Sequence, residues 1–135
     1  MKPYEFGCEI PEAGEYIELR RIAGLSSKTP EAARKGLPAS LFSICVRDHD
    51  RLVGMGRIVG DGGCNFEIVD IAVHPDHRRQ GIAHRIMELL MQYLRENAPE
   101  SAYVSLIADE GAPSLYQKFG FEFTAPESVG MALRI

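Results

Sequence analysis

The stretch His74-Pro75-Asp76-His77-Arg78-Arg79-Gln80-Gly81-Ile82-Ala83 sets basic side chains and a glycine at the opening of a helical pattern. That combination suits an anion. The first N–H groups of a helix have no intrahelical acceptor and stand at the positive end of its macrodipole, so they can hold an anionic oxygen. Gly81 lacks the Cβ that would keep a phosphate off the backbone, and Arg78, Arg79 and Arg85 add charge around the turn. A diphosphate fits this layout, with His77 adding partial positive charge near it.

Such a loop needs a strand to deliver it and a helix to leave it. Ile68, Val69, Ile71 and Val73 make the 66–73 run a strand that His74-Pro75 ends. Ile82, Ile86, Leu89, Leu90 and Tyr93 then share one face of a helix over 79–97, which Asn97-Ala98-Pro99 stops. Upstream, residues 4–10 read as a first strand, and the repeat from Tyr16 to Ala23 as a helix ending near Gly24. Thr29 offers an N-cap with Pro30 at the first helical position, predicting a second helix to about Leu37. The 41–47 and 52–60 runs form a hairpin about Asp48-His49-Asp50, and Asp61-Gly62-Gly63 turns the chain into the 66–73 strand. Downstream come a 102–108 strand parallel to 66–73, a short helix from Pro113 to Phe119 capped by Gly120, and closing strands at 121–123 and 129–135. The expected fold is a mixed-sheet α/β (α+β) domain over 1–135, an antiparallel meander plus a central parallel pair flanked by helices.

With those elements placed, Arg78-x-x-Gly81-x-Ala83 after a strand resembles the acetyl-CoA motif of the GNAT family of N-acetyltransferases. Ala112-Pro113-Ser114-Leu115-Tyr116-Gln117-Lys118-Phe119-Gly120-Phe121 is similar to that family's A-x-x-L-Y-x-K-x-G-F motif. The resemblance covers roughly residues 41–124 and implies the GNAT fold with acetyl-CoA as co-substrate. It implies donor contacts from Arg78, Arg79, Gln80, Gly81, Ile82 and Ala83 at the diphosphate, and from the Ile71–Ala72–Val73 backbone along the pantetheine arm. Asp109 stands where the family often carries an asparagine toward the pantetheine; an ionised carboxylate accepts hydrogen bonds but donates none. The N-terminal helices, outside the match, would shape the acceptor pocket.

Acetyl transfer from a thioester to an amine needs a held donor, a deprotonated amine and a proton for the leaving thiolate. The resemblance gives Tyr116 the thiolate proton; the competing reading is an aromatic that packs on a neighbouring strand. Glu67, six residues before Val73, matches the family's histone-type glutamate base, and Asp70 competes, with a water relay as the third choice. Strand alternation puts Glu67 and Asp70 on opposite faces.

Composition limits the alternatives. A hydrophobic fraction of 45% with 25% charged residues is that of an ordinary globular domain, and charge breaks every apolar run long enough to span a bilayer. Met1-Lys2-Pro3-Tyr4-Glu5 lacks a signal-peptide core, and Cys8, Cys45 and Cys64 lack paired spacing, so reduced thiols in the cytoplasm are expected. His74, His77 and His84 have no metal-ligand spacing, and no metal is expected. A net charge of −4 argues against nucleic acid, and no membrane partner is expected. With Glu9, Glu12, Glu15 and Glu18 beside the acceptor side, and Asp109 and Glu110 after the last long strand, the expected acceptor is a cationic small amine or peptide amine. A homodimer paired through 129–135 is also expected. The reading is an acetyl-CoA-dependent N-acetyltransferase; a catalytically silent acetyl-CoA-binding domain is the alternative, and a flavodoxin-like domain is disfavoured by the antiparallel meander.

Overall fold

Thr29 shows how local chemistry sets these elements. Its hydroxyl accepts the Ala32 N–H at 3.1 Å, Pro30 opens the helix behind it, and α2 runs Pro30–Gly36 as the cap predicts. In this computed structural model, which describes residues 3–109 and 111–135, β1 (Glu5–Cys8) and α1 (Ala13–Ile22) precede α2. The hairpin β2 (Phe42–Asp48) and β3 (Arg51–Gly60) leads to β4 (Asn65–Val73), then α3 (Ile82–Asn97), β5 (Tyr103–Ser105) and α4 (Pro113–Gln117). Two compact units result, Met1–Ser105 and Leu106–Ile135.

In the first unit the five strands form one sheet in chain order. The pairs β1/β2, β2/β3 and β3/β4 are antiparallel, and β4/β5 is parallel. The sheet is therefore the expected meander with one parallel pair. Its two faces carry separate apolar layers. Tyr16, Leu19, Ala33, Leu37, Cys45, Met55 and Ala72 are buried together beneath α1 and α2. On the opposite face α3 buries Ile82, Ile86, Met87, Leu90 and Leu94, worth about 1.5–3 kcal/mol for each large side chain. Close approach of α3 needs glycine at position 56, since a Cβ there would lie 2.6 Å from Ile71 Cδ1 and 2.7 Å from Ile86 Cγ2.

Three expectations fail. The 102–108 strand is only three residues long, and the helix from Pro113 ends at Gln117. Neither 121–123 nor 129–135 forms a strand. A strand exists only through its ladder partner, and none is present for 129–135 among the described residues. Its alternating Val129, Met131, Leu133 and Ile135 are all exposed.

Candidate functional site

Gly81 closes the loop in the left-handed region, φ +79°, and a Cβ built there would meet no atom within 4 Å. The space beside its backbone is open. The first N–H to bond back into α3 belongs to Arg85, which donates to the Gly81 carbonyl at 3.0 Å. The N–H groups of Ile82 and Ala83 thus precede the first intrahelical bond, and no side chain caps the helix. Two free donors, the positive helix end and an open approach suit this turn to seating an anion.

The side chains around this seat divide. Arg79 and Gln80 are exposed, and Arg79 also adopts positive φ, +63°. Arg78 is exposed and reaches the Ala23 carbonyl at the end of α1, 3.5 Å away. Arg85 instead pairs with Glu88 at 3.2 Å, so part of its charge is offset on the helix surface. His77 serves the fold rather than the loop: its Nδ1 lies 2.8 Å from the Tyr4 hydroxyl and its Nε2 4.0 Å from Asp48.

The strand that delivers the loop is open along one edge. Pairing of β4 with β5 stops at Glu67 opposite Ser105, whereas β4 continues to Val73. The His74 N–H donates to the Val53 carbonyl at 2.7 Å, making that a hydrogen-bonded pair. By alternation the peptide groups of Ala72 face β3, and those of Val73 face the open edge. An amide-bearing chain could pair there.

A bulge changes the carboxylate geometry. Met55 pairs with Ala72 and Arg57 with Val69, so Asp70 and Ile71 together oppose Gly56, and Asp70 takes φ +61°. Alternation is broken at this point. Glu67, paired with Val59, lies on the α1/α2 face with Arg57 and Met55. Asp70 turns to that same face, where it accepts from Tyr16 Oη at 2.8 Å, from Arg57 Nε at 2.6 Å and from Arg20 Nη1. The expected opposite placement of Glu67 and Asp70 is therefore corrected. Asp70 is committed to three donors, its side chain 8% exposed. Glu67 is half-buried and forms no side-chain hydrogen bond or ion pair among the described residues.

Tyr16, Arg20 and Arg57 escaped the sequence reading. Their signal was polar groups interrupting apolar faces: Arg20 one turn after Tyr16, and Arg57 amid the β3 apolar run. Burial and the Asp70 charge push the Tyr16 phenol above its usual value, keeping it a proton donor to Asp70. The N-terminal glutamates are also engaged. Arg47 holds Glu15 at 2.8 Å and Glu9 at 3.3 Å, Arg21 holds Glu18 at 2.6 Å, and Glu12 caps α1 with Glu15. The free acidic surface expected beside the acceptor is thus partly offset, with two guanidiniums set against the four carboxylates; Glu110 lies outside the described residues.

In the second unit Tyr116 is buried, 9% exposed, edge-on to Phe121 with ring centroids 6.4 Å apart. It lines a cavity of about 230 Å³ with Leu106, Ala108, Pro113 and Phe123. Burial pushes its hydroxyl above the ordinary phenol value, and the Asp109 charge adds to that. The phenol is held protonated, as an acid must be. Asp109 is exposed, with its carbonyl accepting the Ala112 N–H at 3.0 Å.

Comparison with known proteins bears on the family and the fold. A probable acetyltransferase of unknown function from meticillin-resistant Staphylococcus aureus is 49% identical with a TM-score of 0.95, covering 98% of this chain and 100% of its own. An uncharacterized ycf52-like N-acetyltransferase from Prochlorococcus marinus is 32% identical over 111 residues, 79% of this chain; the match spans 61% of that relative's length. A predicted acetyltransferase from Clostridium acetobutylicum, solved with acetyl-CoA, shares the fold at TM-score 0.72 and 17% identity, covering 98% of this chain and 96% of its own. The family model described as the acetyltransferase (GNAT) domain matches residues 22–134. With that match running from the end of α1 through the anion seat and Tyr116, the chain belongs to the GNAT acetyltransferase family.

Proposed function

We infer that this acetyltransferase takes acetyl-CoA as donor and acetylates the primary amine of a small molecule or peptide. The observation that carries the reading is the seat at α3: the Ile82 and Ala83 N–H groups, which precede the first intrahelical bond, behind Gly81 in an open left-handed turn. A diphosphate takes those donors, with Arg78, Arg79 and Gln80 beside it. The pantetheine amides pair with the open edge of β4 at Ile71–Val73. Glu67, without a side-chain partner among the described residues where β4 leaves β5, takes the proton of the attacking amine.

The amine nitrogen then attacks the thioester carbonyl carbon, a C–N bond forms and the C–S bond breaks. The leaving thiolate takes the Tyr116 hydroxyl proton, an assignment that rests on the motif match and on the protonated phenol; solvent restores the proton. Asp109 is retained as a pantetheine acceptor contact. Asp70, engaged by two guanidiniums and a phenol, is assigned to the architecture rather than to proton transfer. A cytoplasmic, reducing setting is supported by three unpaired cysteines. The exposed apolar alternation at Val129–Ile135 supports a homodimer, which light scattering tests.

The test of the whole reading is thiol release from acetyl-CoA with a panel of amines, alongside calorimetric titration of CoA. Amine-dependent thiol release with an equal amount of acetylated product supports transfer. CoA binding without turnover on any amine would favour the silent binding domain.

A further inference from the structure

Asp70 neutralises one guanidinium, yet two stand against it. Arg20 and Arg57 both donate to its carboxylate, their side chains 8% and 15% exposed, so the cluster holds one positive charge in excess. Arg20 is fully engaged, with Nε on the Ser26 carbonyl at 2.9 Å and Nη2 on Ser26 Oγ at 3.0 Å. Arg57 is not. Nε serves Asp70 and Nη1 serves Ser40 Oγ at 3.0 Å, which leaves Nη2 without an acceptor among the described residues. Among the described residues no fully buried side-chain nitrogen lacks a partner, so Nη2 has access to solvent.

Arg57 opens onto a cavity of about 170 Å³ between the sheet and α2, lined also by Tyr16, Lys28, Ala33 and Leu37. Its two charged lining residues, Lys28 and Arg57, are both cations. Lys28 precedes the α2 cap and forms no ion pair among the described residues. A mostly buried guanidinium with free donors, an unpaired ammonium and no facing carboxylate in the wall call for an anion. The volume is about six times a water molecule's share of liquid, room for a carboxylate or phosphate and a short stem.

The site lies close to the candidate base. Arg57 pairs with Val69, so Glu67 is its diagonal neighbour on the same face, roughly 7–8 Å away. We propose that Arg57 and Lys28 select an acceptor that carries an acidic group, carboxylate or phosphate, a few bonds from its amine. The proposal rests on the acetyl-transfer reading above and names its substrate class. It replaces the cationic acceptor that the overall charge suggested, since Glu9, Glu15 and Glu18 are held by Arg47 and Arg21.

The experiment compares matched acceptors at fixed ionic strength: an amino acid against its carboxamide, and an aminoalkyl phosphate against the corresponding amino alcohol. The acidic member of at least one pair should react with roughly 10-fold higher kcat/KM, the pair identifying the anion, because a hydrogen bond to a charged group is stronger than one to a neutral group. Lys28→Met should erase most of that preference through the acceptor KM, leaving the acetyl-CoA KM in place. Equal reaction of both members in both pairs, or an undiminished preference in Lys28→Met, overturns the proposal. If no amine is acetylated, the transfer reading fails, and the anion site is judged by binding alone. Inorganic phosphate or acetate should then raise the wild-type melting temperature above that in chloride of equal ionic strength, and raise that of Lys28→Met less. Equal shifts in the two proteins count against the site.

Discussion

Replacing Asp70 by Asn removes one negative charge and little else. Asn keeps the size of the side chain, and it tolerates positive φ better than most residues, so the +61° backbone at the bulge adds no new strain. What changes is electrostatic: Arg20 and Arg57, 8% and 15% exposed, lose their shared carboxylate. Removing one partner of a buried ion pair costs about 3–5 kcal/mol, a large fraction of the roughly 5–15 kcal/mol that holds a domain folded. For a chain of this length the melting temperature should fall by roughly 10–20 °C. Circular dichroism melts of wild type and Asp70→Asn measure it, with CoA calorimetry at 15 °C on the folded variant. CoA affinity should survive, because Asp70 is absent from the anion seat. A melting temperature within about 2 °C of wild type would refute the argument that this carboxylate anchors the face, and would return Asp70 to the candidates for general base.

Four further outcomes are expected. Gly81→Val should lose about 1–2 kcal/mol from the left-handed backbone and also weaken CoA binding strongly, whereas Gly62→Val, at φ +81° and equally open, should lose similar stability with no change in CoA affinity. Tyr116→Phe should lower kcat by roughly 10- to 1000-fold at constant acetyl-CoA KM; since burial raises the wild-type phenol, wild-type activity should persist to alkaline pH, and stability linked to this group should fade only as pH climbs past about 10. Glu67→Gln should depress kcat at neutral pH and recover partly as rising pH deprotonates the amine. Burial, then the Arg51 charge, depresses the His74 imidazole, whose Nδ1 accepts the Asp76 N–H at 3.1 Å, so the folded state resists a proton that the unfolded chain accepts below about pH 6.5. Stability should therefore decline as pH falls through that value, and less steeply in His74→Gln, as melts across pH 5–8 would measure.

What could be read in advance was whatever depends on near neighbours. Thr29-Pro30 specified a helix start, Asp48-His49-Asp50 a hairpin, and the Ile82, Ile86, Leu90 repeat a helix buried on one side. Each follows from spacing alone. The glycine turn that opens α3 was legible for the same reason, since a glycine and its basic neighbours at a helix start are contiguous in sequence. The bulge was not. One extra residue opposite Gly56 brings Asp70 to the face of Glu67, and nothing in Glu67–Ile71 announces it except an aspartate inside an apolar strand. Pairing across the fold was hidden too: Glu9 and Glu15 read as free surface charge until Arg47, more than thirty residues on, meets both. The pattern at Val129–Ile135 is that of a strand, but pattern supplies only one half of a ladder.

The central claim is that the turn at Gly81 holds acetyl-CoA for transfer to an amine. One assay addresses it: purified wild type and Gly81→Val, each at a temperature where it is fully folded, are incubated with acetyl-CoA and the amine panel while free thiol and acetylated amine are quantified together. The account predicts equal amounts of both products from wild type, dependent on the amine, and a several-fold or greater loss in Gly81→Val that raised acetyl-CoA concentration partly restores. Thiol release without acetylated amine, or equal turnover by the two proteins at low acetyl-CoA, would contradict it.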